Sequence, residues 1–192
     1  MSILIGIALS ATCGFRVFVP LLAVNIGTRA KDADGQPLIE LAAGFNWLSS
    51  DIAMMIFLVA AIFEIGGYYI PWIDNLLDSV ASPAAIVAGT LITASFITGM
   101  DPWLQWLLAL IAGGGVAGAV QATTVVTRAS STVTTGGLGN PIVSSVETSG
   151  ACLGSALSIL AAPFVLGVFV LLLGSGVWIW FRRRIRKLKE AT

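Results

Sequence analysis

Apolar residues in this chain come in long unbroken runs, separated by short polar or Gly/Pro-rich breaks, and not in the alternation of a half-buried strand or surface helix. The first run, from about Ser2 to Ile26, is long enough to cross roughly 30 Å of hydrocarbon as a helix. Gly14-Phe15-Arg16 interrupts it near its centre, and Pro20 follows. A polar loop and the turn signal Asp34-Gly35-Gln36-Pro37 come next. The stretch from Pro37 to Leu48 is too short to cross and mixes apolar with aromatic residues, which predicts a short helix lying in the interface.

A second span is expected over Ile52 to Ile70, with Tyr68-Tyr69 and then Pro71-Trp72 as aromatic anchors at the headgroup level. An acidic segment, Ile73 to Ser82, leads to Pro83 and a third span from about Ala84 to Met100. Asp101-Pro102 turns into a fourth span beginning at Trp103. It contains Gly113-Gly114-Gly115 and a GxxxG pattern at Gly114 and Gly118, which lets two helix backbones approach closely. The Thr- and Ser-rich stretch Thr123 to Thr135 reads either as strand or loop, or as a continuation of that helix. Gly136 to Pro141 breaks the chain. The last apolar stretch, Ala151 to Phe181, carries Pro163 and is one kinked helix or two pieces.

The expected architecture is therefore all-α, a polytopic transmembrane bundle of about five spans with Gly- and Pro-broken helices. Residues 1–192 form one integral membrane domain with a short basic tail from Arg182. Composition agrees: 57% of residues are hydrophobic and 10% charged, too little charged surface for a soluble domain, and the mean hydropathy is +0.94. No basic region precedes the first apolar run, so a retained helix is expected there and not a cleaved signal.

The net charge of zero conceals an asymmetry. Arg182, Arg183, Arg184, Arg186, Lys187 and Lys189 crowd the C-terminus against Glu190 alone, leaving four basic and nine acidic residues before them. Such a cluster after a hydrophobic span marks the cytoplasmic side of an inner membrane. Five crossings then put the N-terminus outside and Arg29 and Lys31 inside; a true reversal at Pro163 would give six crossings. So short a tail does not predict nucleic-acid binding.

The informative residues are the ionisable ones within or beside the spans: Arg16, Glu64, Asp74, Asp78, Arg128 and Glu147, with Asn140 in the Gly-rich break. An unpaired charge at the bilayer centre costs about 2.5–3.5 kcal/mol on insertion scales. These groups are expected to point inward and pair, with the two arginines as cations and the four carboxylates as partners. They either hold broken helices together or line a polar cavity for an ion, a proton or a polar solute. Gly6 to Arg16 can also be laid on Gly118 to Arg128, with Gly, Thr12 on Thr124, and the terminal Arg coinciding, as in a faint inverted repeat.

Two stretches carry a family resemblance. Glu64 to Asp78 runs as Glu, six residues, Pro, two residues, Asp, three residues, Asp. It resembles the signature of an uncharacterised family of small bacterial integral membrane proteins, a domain-of-unknown-function family. Gly139-Asn140-Pro141 with Ser144 and Glu147, and Gly14-Phe15-Arg16 with Pro20, are similar to the same family. The resemblance implies a polytopic membrane fold and singles out the same polar residues. Many members carry Ala-Asp-Lys where this chain has Gly67-Tyr68-Tyr69, and an Arg where it has Ser82, so charged residues found in relatives are missing.

The function expected from these residues is a small transporter or channel-like protein for a polar or anionic solute, built on the buried Arg/carboxylate cluster. The alternatives are a non-transporting scaffold or complex subunit, and a lipid-interacting protein. No enzyme is expected: the chain has no His, no nucleophile elbow and no phosphate-binding loop with Lys. No cofactor and no metal are expected either, because Cys13 and Cys152 stand alone in apolar stretches. The lipid bilayer is the expected partner, with a homo-oligomer or a membrane complex left open.

Overall fold

A computed structural model describes the backbone of residues 2–70 and 73–190, with side chains beyond Ala161 described at only a few positions. Pro71 and Trp72, and the side chains of Pro163 and of the basic tail after Arg182, lie outside the described residues. The chain is all-α, and by length and composition three of its described helical segments are able to cross a membrane: Leu76–Ser95, Pro102–Thr135 and Asn140–Ala161. Shorter apolar helices complete a polytopic bundle of about five spans.

The first run is two helices, α1 (Ser2–Cys13) and α2 (Phe18–Arg29). At twelve residues each they reach about 18 Å, so neither crosses alone. The chain breaks at Gly14 because a helix passes directly over it. A Cβ there would lie 2.5 Å from Val120 Cβ and 2.7 Å from the Ala117 carbonyl oxygen. α1 is the central strut, with Ala8 to Cys13 fully buried against its neighbours.

Residues 37–48 do not form the expected interfacial helix. Only Asn46–Ser49 makes a single 3-10 turn. Ile39, Ala42, Phe45 and Leu48 are buried at intervals of three, but the backbone bonds outward, Ile39 N–H to Gly27 O and Ala42 N–H to Ser95 O. Those tertiary bonds, with Pro37 at the start and Gly44 at φ +91°, replace the helical ladder.

α3 (Asp51–Gly67) starts at Ser50, whose hydroxyl accepts from Ala53 N–H. Its inward face is Ala53, Phe57, Ala61 and Glu64, one stripe with a single charge. Its outward face leaves Ile52 74% and Phe63 75% exposed, a surface suited to lipid and not to water.

α4 (Ile73–Ser95) includes Pro83, so the acidic segment and the expected third span are one helix. Ser82 returns its hydroxyl to the Asp78 carbonyl in the same turn. α5 (Pro102–Ala109) passes through a π turn at Leu110–Gly114 into α6 (Gly115–Thr135), and Thr123 to Thr135 continues that helix. α4 crosses it at bare backbone: a Cβ on Gly89 would lie 2.9 Å from Gly113 O and 2.6 Å from Ala117 Cβ. Gly114 and Gly118 face Ile86 of α4, the close packing expected of their spacing.

Gly136 and Gly137, at φ +64° and +89°, end α6. α7 (Asn140–Glu190) then begins eleven residues before the expected start at Ala151, which places Glu147 inside the helix. Its break lies at Ala161, the one non-helical residue within it, two positions before Pro163.

Candidate functional site

Charged and polar groups from four helices and one helix break gather in the bundle interior. The α1–α2 break supplies Arg16, α3 supplies Glu64, α4 Asp74 and Asp78, α6 Arg128, and α7 Asn140 and Glu147. Every ionisable residue expected to turn inward does so: Arg16 is fully buried, and Arg128, Glu147, Asp74 and Glu64 are nearly so.

Arg16 is held at all three guanidinium nitrogens. Its Nη1 donates to Glu147 Oε2 at 3.0 Å and to Phe15 O at 2.8 Å; its Nη2 donates to the Ser144 carbonyl and hydroxyl at 3.0 and 2.7 Å; its Nε donates to Thr148 Oγ1 at 3.2 Å. These five bonds match the five N–H donors of a guanidinium. Three of its partners, Ser144, Glu147 and Thr148, share one α7 face by i, i+3, i+4 spacing.

Arg128 takes the other side of the same carboxylate. Its Nε donates to Glu147 Oε1 at 3.2 Å, its Nη2 bonds Glu147 Oε2, and its Nη1 reaches Asp78 Oδ1 at 3.1 Å. Glu147 thus bridges two cations, one bidentate. Asp78 is the outermost member, with 15% of its side chain exposed.

Both guanidinium carbons also lie over the Tyr68 ring, 4.3 Å (Arg16) and 3.7 Å (Arg128) from its centroid. The ring presents its negative π face to two desolvated cations. Tyr68 is 3% exposed, so it is no interfacial anchor, correcting that expectation. Tyr69 is exposed, and its hydroxyl pairs with Ser145. Sequence reasoning missed Tyr68 as a core residue; its position four residues after Glu64, on the same helical face, was the available signal.

Glu64 does different work. Its Oε1 accepts from Val17 N–H at 2.7 Å and its Oε2 from Phe18 N–H at 3.1 Å, capping the start of α2 from a neighbouring helix. The first turn of a helix leaves N–H groups without intrahelical partners and carries partial positive charge, so a carboxylate there satisfies both. Breaking the first span is what creates this site.

Asp74 and Asn140 close the remaining end. Asn140 Nδ2 donates to Asp74 Oδ2 at 2.8 Å and to Thr132 Oγ1 at 3.0 Å, clasping α4, α6 and α7. Of the seven expected residues, Arg16, Glu147, Arg128 and Asp78 form one chain of ion pairs, Glu64 caps α2 next to Arg16 in sequence, and Asp74 and Asn140 bond each other. Among the described residues no buried side-chain N or O lacks a partner, and no three acidic or thiol groups converge to hold a metal ion.

The two segments that could be laid on each other, ending in Arg16 and Arg128, bring those arginines to the same carboxylate and the same ring. The segments also touch, since Thr124 Oγ1 donates to Gly14 O at 3.4 Å.

No curated protein and no solved structure matches this chain. A family model does match over nearly its whole length, residues 3–182, which takes in every residue of the cluster. The chain belongs to the family described as a domain of unknown function (DUF4126).

Proposed function

We propose that this membrane protein is a small transporter or channel-like protein for a polar or anionic solute, with Arg128 as the exchangeable contact. The observation that carries the reading is the unequal treatment of the two arginines. Arg16 spends five bonds on protein groups at zero exposure, which makes it a frame. Arg128 makes three such bonds among the described residues, one of them to the partly exposed Asp78. A bundle that needed only glue could use neutral contacts, because buried ion networks are often no more stable than apolar packing. A broken helix whose amino end meets a carboxylate is also the kind of element from which membrane transport sites are built.

Charge arithmetic bears on the solute. Four carboxylates surround two guanidinium groups, so an anion has to displace Asp78 from Arg128, whereas a polar neutral solute does not. Purified protein in proteoliposomes should move a polar solute or ion, and Asp78→Asn should change the rate while the protein still folds. No flux across a panel of ions, organic acids and sugars would end this reading.

The complete hydrogen-bonding of the buried groups favours a second reading, a scaffold or complex subunit in which the cluster only locks helices together. Mild-detergent extraction should then recover a stoichiometric partner or a homo-oligomer. In either case the reading is of a non-enzymatic inner-membrane protein, its N-terminus outside and its basic tail cytoplasmic, where the tail meets anionic lipid.

A further inference from the structure

Gln121 is a buried polar side chain that the ion-pair network does not use. It is 4% exposed, on the inward stripe of α6 between Ala117 and Arg128. Its backbone carbonyl accepts from the Thr124 hydroxyl at 2.9 Å, but among the described residues its carboxamide makes no hydrogen bond. Every fully enclosed side-chain N and O among the described residues does have a partner, so this amide must reach a small opening. A carboxamide brings two donors and an acceptor, and hydrocarbon satisfies none of them. The opening therefore suits water or a polar molecule and not an acyl chain.

Its place is the face where α4 and α6 cross. Gly89 meets Ala117 at one end of that crossing and Asp78 pairs with Arg128 at the other, eleven residues along each helix. Gln121 is then level with Ala85 of α4. Ala81 and Ala85 offer nothing for an amide to bond, and Ser82 gives its hydroxyl proton to the Asp78 carbonyl. Arg128 follows on the same α6 stripe, seven residues or about 10 Å along the axis. Three of its five N–H groups are committed, leaving one on each Nη unused among the described residues. Beside it Asp78 is the partly exposed member. Unused donors at Arg128 and an unused amide at Gln121 thus share one stripe, starting where the cluster opens.

We propose that Gln121 is the contact for a small neutral solute whose groups both donate and accept hydrogen bonds, as hydroxyl groups do. The unused groups set the class. Those of Arg128 are donors on a cation, which turn a cation away, and an anion must first displace Asp78; neither bars a neutral solute. The inference narrows the transport reading to one solute class and rests on it for passage across the membrane, while binding is measured without flux. Binding without flux would end the transport reading and leave this site standing; flux without binding at Gln121 would do the reverse.

The chain has three glutamines, and two serve as references in the same spectrum. Gln36 is exposed, and Gln105 Nε2 donates to Ala94 O at 2.8 Å and Ile97 O at 3.0 Å. Glutamine side chains labelled with a nitrogen isotope are followed by NMR in lipid nanodiscs. Gln121→Leu identifies the Gln121 signal; if that variant does not fold, elimination with Gln36→Ala and Gln105→Leu does. On transfer to deuterated water Gln121 should exchange at least about tenfold faster than Gln105, as a hydrated amide does. Sorbitol should move the Gln121 signal to saturation and leave Gln36 and Gln105 in place; gluconate, its carboxylate counterpart, should not move it. Exchange as slow as that of Gln105, no saturable shift with sorbitol, or an equal shift with gluconate would each overturn the proposal.

Discussion

Replacing Glu147 by Gln removes one negative charge, takes from Arg16 the carboxylate it pairs with, and leaves Arg128 with Asp78 alone. In the native protein its carboxylate bonds Arg16 Nη1 and both Nε and Nη2 of Arg128, at side-chain exposures of 0% and 5% for the arginines. Removing one partner of a buried pair typically costs about 3–5 kcal/mol, because a charge is left in a poor solvent. The mirror substitution, Arg128→Gln, is milder: Glu147 keeps Arg16, and the carboxylate that loses its cation, Asp78, is the partly exposed member that solvent can reach, so the loss is about 1–3 kcal/mol. Glu147→Gln should therefore be the worse of the two by a clear margin. The double variant should lose less than the sum of the singles, since both single variants break the same Arg128–Glu147 pair, with a coupling of about 0.5–3 kcal/mol. The assay is reversible unfolding in mixed micelles followed by tryptophan fluorescence. Equal losses for the two single variants, or strict additivity in the double, would refute the shared-carboxylate geometry.

Further expectations concern the packing around the cluster. Gly89→Ala pushes a methyl against Ala117 Cβ and the Gly113 carbonyl and should destabilise by about 1–3 kcal/mol, whereas Gly115→Ala, with open space at its Cβ, should be neutral or stabilising by up to about 1 kcal/mol; the sign difference is read by thermal unfolding. Tyr68→Leu removes the ring from beneath two guanidinium groups and should cost about 2–4 kcal/mol, with Tyr68→Phe costing less, by the same measurement. Cys13 is buried and Cys152 exposed, so a thiol-reactive dye applied to Cys152→Ser protein should label only as it unfolds; prompt labelling of the folded variant would contradict the burial of α1.

What was readable in the sequence follows from one physical rule. Ions in hydrocarbon need partners, so Arg16, Glu64, Asp74, Asp78, Arg128 and Glu147 could be named as a group before any coordinates; all turn inward, and Arg16, Asp78, Arg128 and Glu147 pair, whereas Glu64 takes backbone N–H groups and Asp74 takes Asn140. The pairing was not readable, because any of four carboxylates could serve either arginine and the choice depends on helix crossing. Tyr68 was hidden by its type: a tyrosine at a helix end beside lipid is ordinarily an anchor, and only its register with Glu64 turns it inward. Helix ends were the weakest part. Pro83 stands inside α4, and α7 begins at Asn140, because polar Ser and Thr residues that would signal a loop in water bond back to their own helix carbonyls here, as Ser82, Ser145, Thr148 and Ser149 do. The 37–48 segment misled by its mix of apolar and aromatic residues, because tertiary backbone bonds to α2 and α4 take the place of a helical ladder there.

The decisive observation is the state of the two inner guanidinium groups, followed by NMR of arginine side chains labelled with a nitrogen isotope, in lipid nanodiscs with deuterated water. Arg16 and Arg128 should give two N–H signals that exchange far more slowly than those of free arginine in the same buffer, and both should shift in Glu147→Gln. Guanidinium signals at Arg16 and Arg128 that exchange with bulk water as fast as free arginine, unmoved by that substitution, would mean that the two cations do not share a buried carboxylate.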